Sequence, residues 1–252
     1  MRVTTVRQAR DFLDLTFNYN FLKNITIALD GYSSTGKSTV AKMLAHELGY
    51  IYVDTGAMYR AVTLFALRRN LIGDDFLDKE SVIESLPEIA ITFKKNEAGD
   101  GRDVYLNGEN VERQIRTLKV SGFVSQVAAI AEVREKMVEQ QHEMRKNEGV
   151  VMDGRDIGTV VFPDAELKIF MTADAGERAR RRYDELKERG DDIAYEAVLQ
   201  NVQERDYLDT TREVSPLKKA DDAIEIDSTH TNAEDVFHTI LQLAKDRIFG
   251  RI

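Results

Sequence analysis

The chain has 252 residues, 42% hydrophobic and 31% charged, a composition that excludes a disordered chain and fits a folded one with a sizeable core. Lys plus Arg number 35 against 44 Asp plus Glu, so the net charge is −9. This argues against long nucleic acid as the main partner, because such binding rests on surplus Lys and Arg, whereas a small anion needs only local positive charge. Cysteine is absent, which excludes disulfides, thiolate catalysis and cysteine-type zinc sites.

No apolar run approaches the ~20 residues of a membrane span. No apolar core with a small-residue cleavage site marks a signal peptide. Residues 1–24 carry Arg2, Arg7 and Arg10 ahead of the first acid, Asp11. They are read as a short helical or frayed extension rather than a transit peptide. The first strand is Ile25–Asp30, an apolar run ending at a glycine turn. A helix follows over Lys37–Leu48, with Val40, Leu44 and Leu48 on one stripe. Tyr50–Val53 reads as a second strand and Gly56–Arg69 as a second helix. This β-α-β-α opening predicts a parallel sheet with helices on its faces.

Ile89–Lys94 and Asp103–Leu106 then read as an antiparallel hairpin around the turn-rich link Asn96–Gly101. A long helical stretch is expected over Thr117–Lys146. Strands resume at Val150–Met152 and Leu167–Met171, helices are expected at 176–188 and 193–212, and Ala223–Ile226 is the last strand. Thr231-Asn232-Ala233-Glu234 fits a capping box before a final helix. The fold class is α/β: about five parallel strands flanked by helices, with an inserted hairpin region and a basic helical pair.

Gly31-Tyr32-Ser33-Ser34-Thr35-Gly36-Lys37-Ser38 satisfies G-x-x-x-x-G-K-[ST] between a strand and a helix, the context that a phosphate-binding loop requires. Its backbone N–H groups and the helix N-terminus suit a polyphosphate. Lys37 is a point charge for the β- and γ-phosphates, and the Ser38 or Thr39 hydroxyl can reach phosphate or Mg²⁺. Asp153, at the end of a strand, is placed to hold Mg²⁺ through water. A hydrolase would favour an acid next to Asp153. The residues there are Gly154, Arg155 and Asp156, and an arginine suits an anionic acceptor better than water.

Asp54-Thr55-Gly56-Ala57-Met58-Tyr59-Arg60 follows the second strand on the same strand-end face, where Arg60 could meet an acceptor phosphate. Arg178 and Arg182 share one helix face at i, i+4, and Arg205, Asp209 and Arg212 form a stripe at spacings of four and three. Two guanidiniums flanking a carboxylate could hold a phosphate and a ribose hydroxyl together.

These segments, with Gln114-Ile115-Arg116-Thr117, the run from Asp153 through Ala165, Lys168–Met171 and Glu204-Arg205-Asp206, resemble the bacterial cytidylate kinases, a branch of the nucleoside monophosphate kinases. The resemblance spans about residues 25–248. It implies a P-loop kinase domain over 25–252, with a monophosphate-binding insertion at about 73–118 and a lid at about 176–212. It also implies transfer from ATP to CMP or dCMP with Mg²⁺, a cytoplasmic location and a monomer without nucleic-acid or membrane partners. Carried over, Gly31 to Thr39 with Arg178 and Arg182 bind ATP, and Ser38 and Asp153 serve the metal. Ser125, Arg134 and Asp156 read cytosine. Arg60, Arg155, Arg205 and Arg212 hold the phosphate, Asp209 with Arg205 the ribose, and Thr55 lies among the acceptor contacts. Lys37, Asp153 and Arg155 are the catalytic group.

The sequence departs from the family at two places. Ser34 and Ser38 stand where many members have Gly. Ser125 and Arg134 are nine residues apart, about two and a half helical turns, so they face one base only if the helix breaks between them. Many members have Pro there, and this chain has Ala131-Glu132. Two other readings stay open: a kinase for another acceptor such as UMP or AMP, and a P-loop ATPase switch.

Overall fold

The computed structural model describes residues 24–96, 102–145 and 149–251. The extension read over 1–24 therefore lies almost wholly outside the described residues, as does most of the Asn96–Gly101 link.

Five strands form one parallel sheet: β1 (Thr26–Gly31), β2 (Ile51–Asp54), β8 (Val150–Gly154), β9 (Leu167–Thr172) and β10 (Ile224–Asp227), in the order β10-β9-β1-β8-β2. β1 lies in the middle, and the chain leaves it in the crevice where the strand order reverses. Such a crevice at the carboxyl ends of the strands is where open α/β sheets bind ligands. The alternation along the strands divides the core. Ile27, Leu29 and Val151 face helices α1 (Lys37–Leu48) and α8 (Ala233–Ile248). Ala28, Val150 and Met152 face the other way, onto Ile157, Val161 and Phe162. Both faces are covered, so the central strands carry no solvent-facing positions.

Helix α2 (Thr55–Arg68) starts one residue earlier than expected, because Asp54 caps it by accepting from Ala57 N at 2.9 Å. The final helix is capped by Asn232, which accepts from Asp235 N at 2.8 Å, so the cap falls one residue beyond the Thr231 of the expected box. The hairpin forms as read, between β5 (Ile91–Lys95) and β6 (Arg102–Leu106), and β7 (Glu109–Asn110) adds a third strand. Two elements escaped the sequence reading: the small hairpin β3 (Ile72–Gly73) with β4 (Phe76–Leu77), and the short helix α3 (Lys79–Glu84). Ile91, Val104 and Leu106 are buried in one core with Met58 and Val62 of α2.

The long helix expected over Thr117–Lys146 is two helices, α4 (Leu118–Ala128) and α5 (Ala131–Met144). Between them Ile130 is extended, at φ −73 and ψ 121, while its side chain is buried. No proline or glycine makes this break. The burial of Ile130 in the core shared with Val127 and Val133 accompanies the turn. The basic pair is α6 (Ala175–Glu188) and α7 (Tyr195–Thr211), which pack on each other, with α7 also against α4.

Candidate active site

The phosphate loop runs from the end of β1 into α1. Gly31 is at φ 141, and a side chain there would start 2.0 Å from the Met171 carbonyl oxygen of β9. Gly36, the N-cap of α1, is at φ 91. Ser34 is also left-handed, at φ 60. A serine holds that conformation at a cost of about 1–2 kcal/mol that glycine avoids. The first turn of α1 has no side-chain cap and no acidic residue, so its amides are free of competing side-chain anions.

Lys37 is buried and folds back over the loop, donating to the Tyr32 carbonyl and, at 3.3 Å, to Thr35 Oγ1. Burial, then the Arg155 guanidinium, pushes its amine down to about 7, against the pull of Asp153 and Asp30. A polyphosphate in the loop would restore the charge.

Asp153 ends β8 next to Asp54 on β2, its register partner. Ser38 Oγ donates to one Asp153 carboxylate oxygen at 2.8 Å and Tyr52 Oη to the other at 2.9 Å, while Thr55 Oγ1 donates to its carbonyl at 2.7 Å. Burial, then the Asp54 charge, raises the Asp153 carboxyl to about 6. A hydroxyl beside a carboxylate that makes no ion pair among the described residues fits a hard divalent cation that also takes water and phosphate oxygens. Burial works to raise Asp54, but Arg116 and Arg60 outweigh it and hold that carboxyl below its ordinary value. Arg116 reaches it at 2.7 Å.

A cleft of about 1050 Å³ opens over the loop, lined by Ser34 to Thr39 and by Arg181, Arg182 and Arg189 of the basic pair. A smaller cavity of about 110 Å³ lies beside it. Thr55, Arg60, Ser125, Arg134, Arg155, Asp156, Arg205, Asp209 and Arg212, the acceptor-side residues named from sequence, all line it. Lys37, Ser38, Asp54, Arg60 and Arg116 line both.

The break at Ile130 lets Ser125 of α4 and Arg134 of α5 serve one cavity. Arg134 pairs with Asp156, donates to the Ala128 carbonyl at 3.2 Å, and lies 5.2 Å over the Tyr59 ring. Asp209 accepts from Ser125 Oγ and Arg155 Nε, each at 2.8 Å. Burial would raise Asp209, but Arg155 and Arg205 hold it below its ordinary value. Ser125 thus touches the expected ribose carboxylate rather than the Asp156–Arg134 pair. Arg212 is 4.0 Å from both Asp156 and Asp209 and donates to the Ser215 carbonyl at 2.8 Å.

Arg205 donates to Ser121 Oγ at 2.9 Å and is pushed down to about 10, first by burial and then by Arg155. Arg60 makes no hydrogen bond or ion pair among the described residues. Burial, then Arg205, Arg116 and Arg182, pushes it well below its ordinary value, as expected of a cation held where an anion belongs.

The two ATP-side arginines differ. Arg182 lines both cavities and donates to the Arg116 carbonyl at 2.8 Å. Arg178 lines neither: it forms a two-pronged pair with Asp206, at 2.6 and 3.0 Å, and donates to the Ala173 carbonyl. Its link to the loop is the Ser33 carbonyl at 3.4 Å and the Tyr32 ring beneath it. Sequence reasoning gave no role to Tyr52 or Arg116. The Gln114–Thr117 segment was the only signal for Arg116, and Tyr52 acts through strand pairing.

A family model described as cytidylate kinase matches residues 27–246. The cytidylate kinase of Flavobacterium johnsoniae is 63% identical over 225 residues, 89% of this chain and 98% of that protein. That of Flavobacterium psychrophilum is 59% identical, over 89% of this chain and all of its own length (100%). That of Bacteroides thetaiotaomicron is 55% identical, over 84% of this chain and 93% of its own. With a phosphate loop after the central strand and an arginine-lined second cavity beside it, the chain belongs to the cytidylate kinase family.

Proposed function

We propose that the chain transfers the γ-phosphoryl group of ATP to CMP and dCMP, giving ADP with CDP or dCDP. The observation that supports this most is the junction of the two cavities, where Lys37 from the phosphate loop and the unpaired Arg60 line both spaces. ATP phosphates on the loop and an acceptor phosphate among Arg60, Arg155, Arg205 and Arg212 would then face each other across Lys37.

The acceptor's phosphate oxygen is already ionised and attacks the γ-phosphorus directly. A new P–O bond forms while the bond to the β,γ-bridging oxygen breaks, and ADP leaves with the electron pair. No general base is needed, so catalysis is positioning and charge stabilisation. Lys37 and Arg182 neutralise the donor side, and Arg60 and Arg155 hold the attacking phosphate in line. Ser38 and Asp153 would hold Mg²⁺, which when bound spreads the charge developing on the phosphate oxygens. Segments 73–118 and 176–212 would close over the substrates and exclude water.

Base choice follows from Asp156. Its carboxylate accepts from the exocyclic amine of cytosine, whereas uracil presents a carbonyl oxygen there. Arg134 pairs with this carboxylate and is itself a donor toward the base. ADP formation from ATP, measured with and without CMP, tests the reaction. It is expected to depend on the acceptor, and hydrolysis at the same rate without CMP would identify an ATPase instead.

A further inference from the structure

Asp30 is the residue before the phosphate loop, and its side chain turns onto the residues that follow Asp156. It is buried in the centre of the sheet, 5% exposed. One carboxylate oxygen accepts from Ile157 N at 2.8 Å and the other from Gly158 N at 2.7 Å. These are the two amides that follow Asp156. The turn they begin is wound on itself, with Val160 N donating to the Asp156 carbonyl at 2.9 Å. Its far end is held by His142, which bonds the Val161 carbonyl at 2.8 Å, and by Lys168, which donates to the Pro163 carbonyl at 2.6 Å. His142 is on α5, the helix that carries Arg134. Gly158 is close to its neighbours: a Cβ there would lie 3.1 Å from Lys168 and 3.4 Å from the Asp30 carboxylate.

We infer that Asp30 is a positioning residue for base selection, setting the backbone that aims Asp156 at the acceptor base. A carboxylate suits this place, because it offers one acceptor oxygen to each of the two adjacent N–H donors. The residue after Asp30 is Gly31, the first of the loop, so one strand end fixes both the donor phosphates and the base reader. Asp30 touches no substrate on this reading and acts through Asp156.

The inference rests on the cytidylate reading, and the test separates the two. The measurement is kcat/KM for CMP and for UMP in wild type, Asp30→Asn, Asp156→Ala and the double variant, with KM for ATP and the melting temperature recorded. A wild type that does not prefer CMP refutes the function itself. Given a preference, Asp30→Asn, which keeps the shape and loses one acceptor, is expected to reduce the CMP-to-UMP ratio on the order of tenfold. KM for ATP should stay within about twofold, because the hydrogen bonds of Lys37 within the loop do not involve Asp30, whose charge is a lesser influence on Lys37 than burial, Arg155 and Asp153. In the Asp156→Ala background the same change should leave the ratio where it is. Equal losses for CMP and UMP, or a further drop in the ratio in the double variant, would overturn the inference. If Asp30→Asn does not fold, Gly158→Ala presses on the same contact from the other side. It is expected to lower the ratio in the same way, and an unchanged ratio there counts against the role.

Discussion

Tyr52 and Ser38 each donate to one oxygen of the Asp153 carboxylate, at 2.9 and 2.8 Å, from β2 and from the first turn of α1. The carboxylate proposed to serve the metal is thereby oriented by a phenol that lines neither cavity. Tyr52→Phe keeps the ring and removes the grip. It is expected to raise the Mg²⁺ concentration for half-maximal rate on the order of tenfold, the usual effect of losing an outer-shell partner. KM for CMP at saturating Mg²⁺ should not change. A Mg²⁺ titration of the initial rate checks this.

Among the described residues the Lys37 side chain hydrogen-bonds only within its own loop, to Tyr32 and Thr35. Lys37→Ala should therefore leave the fold intact while lowering kcat on the order of 10²- to 10³-fold, the scale of one lost transition-state donor. Circular dichroism and single-turnover rates on one preparation separate the two effects.

Arg134 and Asp156 are each 3% exposed and pair with one another. Arg134→Ala leaves the buried Asp156 carboxylate with Arg212, 4.0 Å away, as its remaining cation among the described residues, and is expected to cost about 3 kcal/mol of stability. Removing both partners should cost less than the two single changes together. Urea denaturation of the singles and the double measures the coupling.

Asp30 is raised from 3.8 to about 7, by burial first and by Asp156, against its two backbone hydrogen bonds and Lys37. An acid whose folded value lies above its unfolded one binds more protons when folded. Its contribution to stability therefore falls as pH rises from about 4 to about 7 and is flat above that. Wild type should lose stability relative to Asp30→Asn across that window. Denaturation of both proteins at pH 5, 6, 7 and 8 tests the sign. A difference that does not vary with pH would show that Asp30 keeps an ordinary value.

The break between α4 and α5 gives a fifth test. Ala131 is exposed, is the first residue of α5 and follows an extended Ile130. Proline is suited to that place, since the amide lies outside the helical ladder and the preceding residue is already extended. Ala131→Pro is expected to preserve activity and to add about 0.4–1 kcal/mol of stability. In an unbroken helix the same change would cost about 3 kcal/mol. Thermal melting decides.

The phosphate loop was legible in the sequence because its chemistry is local: glycine, lysine and hydroxyl spacing between a strand and a helix. The β-α-β-α opening was legible for the same reason, through periodicity. Of the second cavity, Arg60, Arg155 and the Arg205-Asp209-Arg212 stripe were legible from position and spacing, whereas Ser125 and Arg134 were legible only through family resemblance, because they join Asp156 and Asp209 from separate segments brought together by topology. The break at Ile130 has no proline or glycine to announce it. Asp30 and Tyr52 looked like ordinary strand residues, since their partners are fixed by which strands lie beside β1 and β2. Arg178 shares a helix face with Arg182, as its spacing indicates, but its pairing with Asp206 on α7 depends on how two helices pack and could not be read from spacing.

The central claim is a cytosine monophosphate acceptor opposite ATP. Its most direct test is kcat/KM for CMP, dCMP, UMP and AMP at one saturating ATP concentration. Discrimination by a single well-made base contact is worth about 1–3 kcal/mol, so CMP and dCMP should exceed UMP and AMP by on the order of tenfold or more. UMP or AMP phosphorylated as well as CMP would contradict the account.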